Sequence, residues 1–125
     1  MGVQVECFNS EKLVLTAPLA ANHNHLGTAF GGSLSAIATL AGYGFIWLEL
    51  GDRESHVVIR DSSLNFRRPV TGEIRAICHR PEESALVEFR KQFQATGKAR
   101  IQLSVVIEEE GLIAVEFSGT YVALR

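Results

Sequence analysis

Residues 26–48 read LGTAFGGSLSAIATLAGYGFIWL, 23 positions without one charged side chain. From residue 33 to about residue 50 the pattern is that of a helix built of small and apolar residues. Its few polar members are Ser33, Ser35, Thr39 and Glu49. A helix that is apolar on nearly every side is either a membrane span or an enclosed core helix. The length suffices for a bilayer. Five glycines (Gly27, Gly31, Gly32, Gly42 and Gly44) and the lack of Lys or Arg at either flank argue against a span. The expectation is therefore a core helix and no membrane partner.

The flanking sequence is what must cover that helix. A strand is expected over residues 12–18, with Leu13, Leu15 and Ala17 on one face. A polar, glycine-rich run, residues 22–32, leads from it to the helix, and Gly51-Asp52 stops the helix with Gly51 at C′. Residues 56–68 form the next strand. Its apolar phase is odd at Val57 and Ile59 but even at Leu64 and Phe66. Such a flip implies a bulge, or a stretch buried on both faces. Pro69 and Gly72 end this strand, and residues 74–79 make another. Pro81-Glu82-Glu83 opens a short helix whose Leu86, Phe89 and Phe93 share one face. Residues 99–108 and 112–124 alternate on either side of Glu109-Glu110-Gly111, a hairpin with Ile101, Leu103, Val105 and Ile107 facing Ile113, Val115, Phe117 and Tyr121 on the inner side. Antiparallel strands dominate and one helix needs cover. An antiparallel sheet curled around that helix is expected, an α+β architecture in a single domain over residues 1–125.

Composition narrows the function. The 125 residues are 46% hydrophobic and 21% charged, ordinary for a globular domain. Twelve Lys and Arg against 14 Asp and Glu leave a net charge of −2, which argues against nucleic acid as a partner. The first ten residues, MGVQVECFNS, have no basic region and no apolar run, so a cytoplasmic protein with reduced thiols is expected. Cys7 and Cys78 lie in no metal-binding spacing, and His23 and His25 lack a third ligand at suitable spacing, so no metal is expected.

The chemistry-bearing run is Asn24-x-x-Gly27-Thr28-x-Phe30-Gly31-Gly32-Ser33. Two glycines at a helix start leave backbone N–H groups unpaired and unshielded. The macrodipole adds positive potential there, so a carbonyl oxygen or oxyanion would be stabilised. Asn24 can supply a side-chain donor or orient a water; equally, it can cap a turn. His23 or His25 can serve as a general base near neutrality, or simply be solvated. No Ser/His/Asp arrangement or GxSxG elbow is present.

Two stretches carry a family resemblance, NHNHLGTAFGGSLSAIATLAGYGFIWLEL and VVIRDSSLNFRRPVTGEIRA. The chain resembles the hotdog-fold acyl-CoA thioesterases, most of all the YiiD C-terminal-domain type. The resemblance implies a dimer, or a tetramer built of dimers, whose strands pair across the twofold, with active sites at the protomer interface. It implies an acyl thioester substrate on coenzyme A or acyl carrier protein, and no cofactor beyond the coenzyme A portion of the substrate. It carries catalytic roles onto Asn24, Gly31 and Gly32, and substrate contacts onto Phe30, Ser33 and Ser63; Arg67 and Arg68 either meet carrier phosphates as further substrate contacts or are solvated charges that guard an edge strand. Related enzymes place a carboxylate about two turns into the helix. Thr39 stands near that place here, and no acid lies between Phe30 and Leu48. Asp61, if buried and desolvated, is the alternative base. Two functions stay open: hydrolysis of an acyl thioester, and binding of one without turnover.

Overall fold

The computed structural model describes residues 1–29 and 31–125. In chain order it comprises β1 (Gln4–Phe8), β2 (Lys12–Ala17), a 3-10 turn (Leu19–Ala21), α1 (Gly31–Leu50), β3 (His56–Phe66), β4 (Ile74–His79), α2 (Glu83–Thr96), β5 (Lys98–Glu109) and β6 (Leu112–Leu124). The strands form one sheet in the order β1-β2-β4-β5-β6-β3, every neighbouring pair antiparallel. α1 lies against β2, β4, β5, β6 and β3, so the sheet does curve around it.

The cover on α1 is one-sided. Leu34, Ile37, Ala38, Ala41, Gly42, Phe45 and Ile46 are buried. Leu40, Tyr43, Trp47 and Leu48 form an apolar stripe on the opposite side, each between 36% and 40% exposed. The expectation of a helix enclosed within its own chain is therefore corrected: the sheet covers one face of a helix that is apolar on both. α1 is long and apolar enough to cross a membrane, with a mean hydropathy of 1.3, but its most buried face is packed into the sheet.

The phase flip in β3 is a bulge. Ile59 pairs with Tyr121 and Asp61 with Thr120, so Arg60 is the extra residue. Beyond it Ser62, Leu64 and Phe66 take the inner register, opposite Gly119, Phe117 and Val115. A second irregularity falls between Ile107 and Glu108 on β5, where Ala114 of β6 is skipped. It buries Ala114 and leaves Ile113 38% exposed, so Ile113 does not point inward as the alternation predicted. β1, absent from the expected elements, pairs with β2 and forms one edge of the sheet; β3 forms the other.

α2 buries Leu86, Phe89 and Phe93 on the predicted face and ends at Gly97, whose positive φ of 74° lets its N–H bond Phe93 O at 2.8 Å. Glu49, near the C-terminus of α1, accepts from Arg80 Nη1 at 3.0 Å and from Arg90 Nη2, tying α1 to the end of β4 and to α2. The Glu49 side chain is only 12% exposed, so its charge requires these partners.

Candidate active site

The run before α1 is organised by Asn24. Its Oδ1 accepts from the backbone N–H of Leu26 at 2.9 Å and of Thr28 at 3.2 Å. Its Nδ2 donates to Thr28 Oγ1 at 2.9 Å, and its own N–H donates to Thr28 O at 2.7 Å. An Asx-type turn results, with Gly27 at φ 78°. Ala29 N–H donates to Val70 O at 2.8 Å and so anchors the loop to the segment after β3. Of the two uses foreseen for Asn24, the carboxamide serves the turn: its oxygen is taken up by loop N–H groups and one amide hydrogen by Thr28. It shapes the approach to α1.

α1 then begins at Gly31, with no acidic side chain in its first turn. Gly31 and Ser33 are half-buried and Gly32 is exposed. The first N–H groups of an α-helix have no partner four residues back, so this turn presents donors. A Cβ added at Gly31 would lie 4.0 Å from the ring of Phe66, itself 54% exposed. The N-terminus of α1 thus opens beside an aromatic ring from the end of β3. Phe30, expected to touch substrate, lies outside the described residues.

Further along α1, Thr39 Oγ1 donates to Ser35 O at 2.9 Å. With its only proton so committed, the hydroxyl can offer nothing but lone pairs to a ligand. Thr39 lines an apolar depression of about 520 Å³ with Ala36, Tyr43, Val57, Ile59 and Tyr121. Tyr121 is 1% exposed and its Oη donates to Thr39 O at 2.7 Å. Burial pushes the Tyr121 pKa well above its ordinary value, with Cys78 adding to the rise and the Tyr43 backbone N–H opposing it.

Asp61 is not the buried carboxylate the base reading required. The bulge at Arg60 turns it to the outer face beside Thr120, where its side chain is 66% exposed and Arg60 Nε is 3.9 Å away. Ser63 also faces outward, opposite Ser118, in a groove with Ser104 and Asn65 that lies away from α1. The residue that takes the inner register is its neighbour Ser62, opposite Gly119, and sequence reading overlooked it. The apolar phase flip held the signal: once a residue is inserted at 60, even-numbered positions face in. Arg67 is engaged by Glu116 at 3.0 Å on the outer face, while Arg68 is exposed. His23 and His25 are exposed. Among the described residues, no group of three His, Cys, Asp or Glu side chains has metal-binding geometry.

Solved structures share this architecture. A protein of unknown function from Chlorobaculum tepidum TLS is 38% identical, with a TM-score of 0.92 over 100% of this chain and 83% of its own. The putative thioesterase of Shewanella oneidensis is 29% identical, with a TM-score of 0.89 over 100% and 85%. A "Probable Thioesterase" from Pseudomonas aeruginosa is 27% identical, with a TM-score of 0.83 over 98% and 83%. The curved sheet on its central helix is the hotdog fold of these thioesterases. The family described as "Putative thioesterase (yiiD_Cterm)" matches residues 1–125, the whole chain, and to that thioesterase family this protein belongs.

Proposed function

We propose that the protein hydrolyses an acyl thioester carried by coenzyme A or an acyl carrier protein, as a dimer whose two chains share each site. The open first turn of α1 carries this reading. Its Gly31 and Gly32 amides present donors at an uncovered helix N-terminus, where a developing oxyanion is stabilised. The carrier's acyl chain lies in the apolar depression beside Thr39. Thr39 accepts a hydrogen bond from the attacking water and so aims the water's lone pair at the carbonyl; the C–O bond forms, the C–S bond then breaks, and the departing thiolate takes up the water's proton.

One chain does not bring these groups together. Gly31 and Thr39 are eight residues apart, about 12 Å along the axis at a rise of 1.5 Å per residue. A carbonyl must lie within about 3 Å of both its oxyanion donors and its nucleophile. A second copy, packed on the Leu40–Tyr43–Trp47–Leu48 stripe and along the unpaired edge of β3, supplies Thr39 to the first copy's glycines. Association also removes an exposed strand edge, which small sheets otherwise have to guard. Of the two arginines after β3, Arg67 is held by Glu116, and Arg68, with no ion pair among the described residues, is offered to a carrier phosphate. The site takes no metal and no separate cofactor, and the protein works in the cytoplasm, away from nucleic acid and membrane.

The test is thiol release from a panel of acyl-CoAs and acyl carrier proteins. Gly32→Pro deletes one N–H in a turn that tolerates proline. It should lower kcat by roughly 10²–10³-fold, the scale of losing one oxyanion donor. Unchanged turnover in that variant refutes the assignment. A second reading rests on one observation: the only carboxylate on α1 is Glu49, which Arg80 and Arg90 already hold. Tight acyl-CoA binding without any thiol release would select a binding module.

A further inference from the structure

One buried hydroxyl in the core has no packing reason to be there. Tyr121 lies on the inner face of β6, and a Phe would fill the same space without bringing a polar atom out of water. Its hydroxyl also makes a demand on α1. A Cβ at Gly42 would run into Tyr121 Oη and stand 2.5 Å from Cζ, so only glycine fits. Glycine inside a helix is a poorer helix former than Ala. The fold therefore gives up a better helix former to hold a phenol against one turn of α1. That turn is Thr39–Tyr43, and the phenol donates to the Thr39 carbonyl at 2.7 Å. The same turn carries the Thr39 hydroxyl and one wall of the apolar depression.

We propose that Tyr121 is a positioning residue for Thr39: its hydroxyl, hydrogen-bonded to the Thr39 carbonyl beside Gly42, fixes the depth of α1 on the sheet and so the place of the Thr39 hydroxyl. The inference rests on the thioesterase reading and names a residue that acts on the chemistry from inside the core. Thr39 Oγ1 is held at two points, by its own bond to Ser35 O and by the phenol on its carbonyl. Without the phenol the carbonyl keeps its helical bond, so the helix survives, but the turn is free to lift from β6. A displacement of about 1 Å in a catalytic group can cost up to 10²-fold in rate.

The experiment is a double-mutant cycle on Tyr121→Phe and Thr39→Val, with steady-state kinetics on an acyl-CoA that the parent hydrolyses. Tyr121→Phe is expected to lower kcat about 10-fold with KM within a factor of two, and a Thr39→Val variant to lower it at least as much. In the Thr39→Val background, Tyr121→Phe should have almost no further effect, because the group it positions is gone. A full additional 10-fold loss in that background would show that Tyr121 acts elsewhere, and would overturn the inference. So would parent-like kcat in Tyr121→Phe. A general loosening of the fold would move both backgrounds alike and would also appear as a lowered denaturation midpoint. If the parent releases no thiol from any substrate, the thioesterase reading fails and takes this inference with it. If the parent turns over and the cycle is additive, only the inference fails.

Discussion

Gly42→Ala sets two physical effects against each other, and the structure says which wins. Helix propensity alone favours the substitution by about 1 kcal/mol, since Ala is the better helix former. Packing opposes it. The new methyl would sit 2.5 Å from Tyr121 Cζ and closer still to the hydroxyl, whereas carbon atoms rest about 3.5–4.0 Å apart. The ring must retreat by about 1 Å, or α1 must rise off β6. Tyr121 is 1% exposed, its ring held between β6 and α1. Overpacking of this kind costs about 1–3 kcal/mol. Loss of the Tyr121–Thr39 hydrogen bond adds about 1 kcal/mol. After the propensity gain, a net loss of about 1–3 kcal/mol remains. Urea unfolding at fixed protein concentration checks this, because an associating protein has a concentration-dependent midpoint. With a slope of about 1–3 kcal/mol per molar, the midpoint should fall by roughly 1 M at unchanged slope. Gly44→Ala is the control: its Cβ would meet only the tip of Leu13, at 3.0 Å, and a flexible side-chain end can give way. A Gly42→Ala protein as stable as the parent would refute the close approach of α1 to β6.

Ala38→Asp and Leu40→Asp should part company, since Ala38 is fully buried and Leu40 is 36% exposed on the open stripe. The first should abolish folding, because an unpaired buried carboxylate costs several kcal/mol; the second should fold and sediment as a monomer. Asn24→Ala should leave the core intact, with a stability loss near 1 kcal/mol, yet raise hydrogen exchange at the Leu26 and Thr28 amides it now holds. Cys78 should resist thiol reagents at pH 8 in the folded protein while Cys7 reacts, because burial pushes the Cys78 thiol from 9.0 up to about 12. The raised value means the native state prefers the neutral thiol. That contribution is fully present below about pH 9 and is lost as pH climbs toward 12, so alkaline denaturation should be delayed in Cys78→Ser only if the serine packs as well.

Sequence periodicity revealed the parts of the fold in which each residue answers to one neighbour. The face Leu86–Phe89–Phe93, the β5–β6 hairpin and the bulge implied by the shift from Val57 and Ile59 to Leu64 and Phe66 are all local patterns. β1 escaped notice because a five-residue edge strand with mostly exposed side chains leaves little alternation to read. The inward reading of Ile113 failed at a register slip that alternation alone does not locate. At the candidate site, the placement of Gly31, Gly32 and Thr39 on α1 was legible because helix position fixes it. Asp61 and Ser63 were not, because one inserted residue at Arg60 decides which side of β3 each occupies. Tyr121 was read only as an inward residue, since its hydroxyl finds a partner 82 residues away.

Trp47 gives the open side of α1 an optical consequence. It is the only tryptophan in the chain and stands 38% exposed on that stripe. Indole emission moves to shorter wavelength when water is displaced from the ring, so this protein carries an intrinsic label on the surface where a second chain would settle. A dilution series followed by emission maximum reads the covering of that surface without any added dye. In a denaturant titration of the proposed dimer the same ring would pass through two environments, uncovered by dissociation and then freed as α1 melts. Only the first of these steps would shift with protein concentration, so the single indole tests assembly and folding in one measurement.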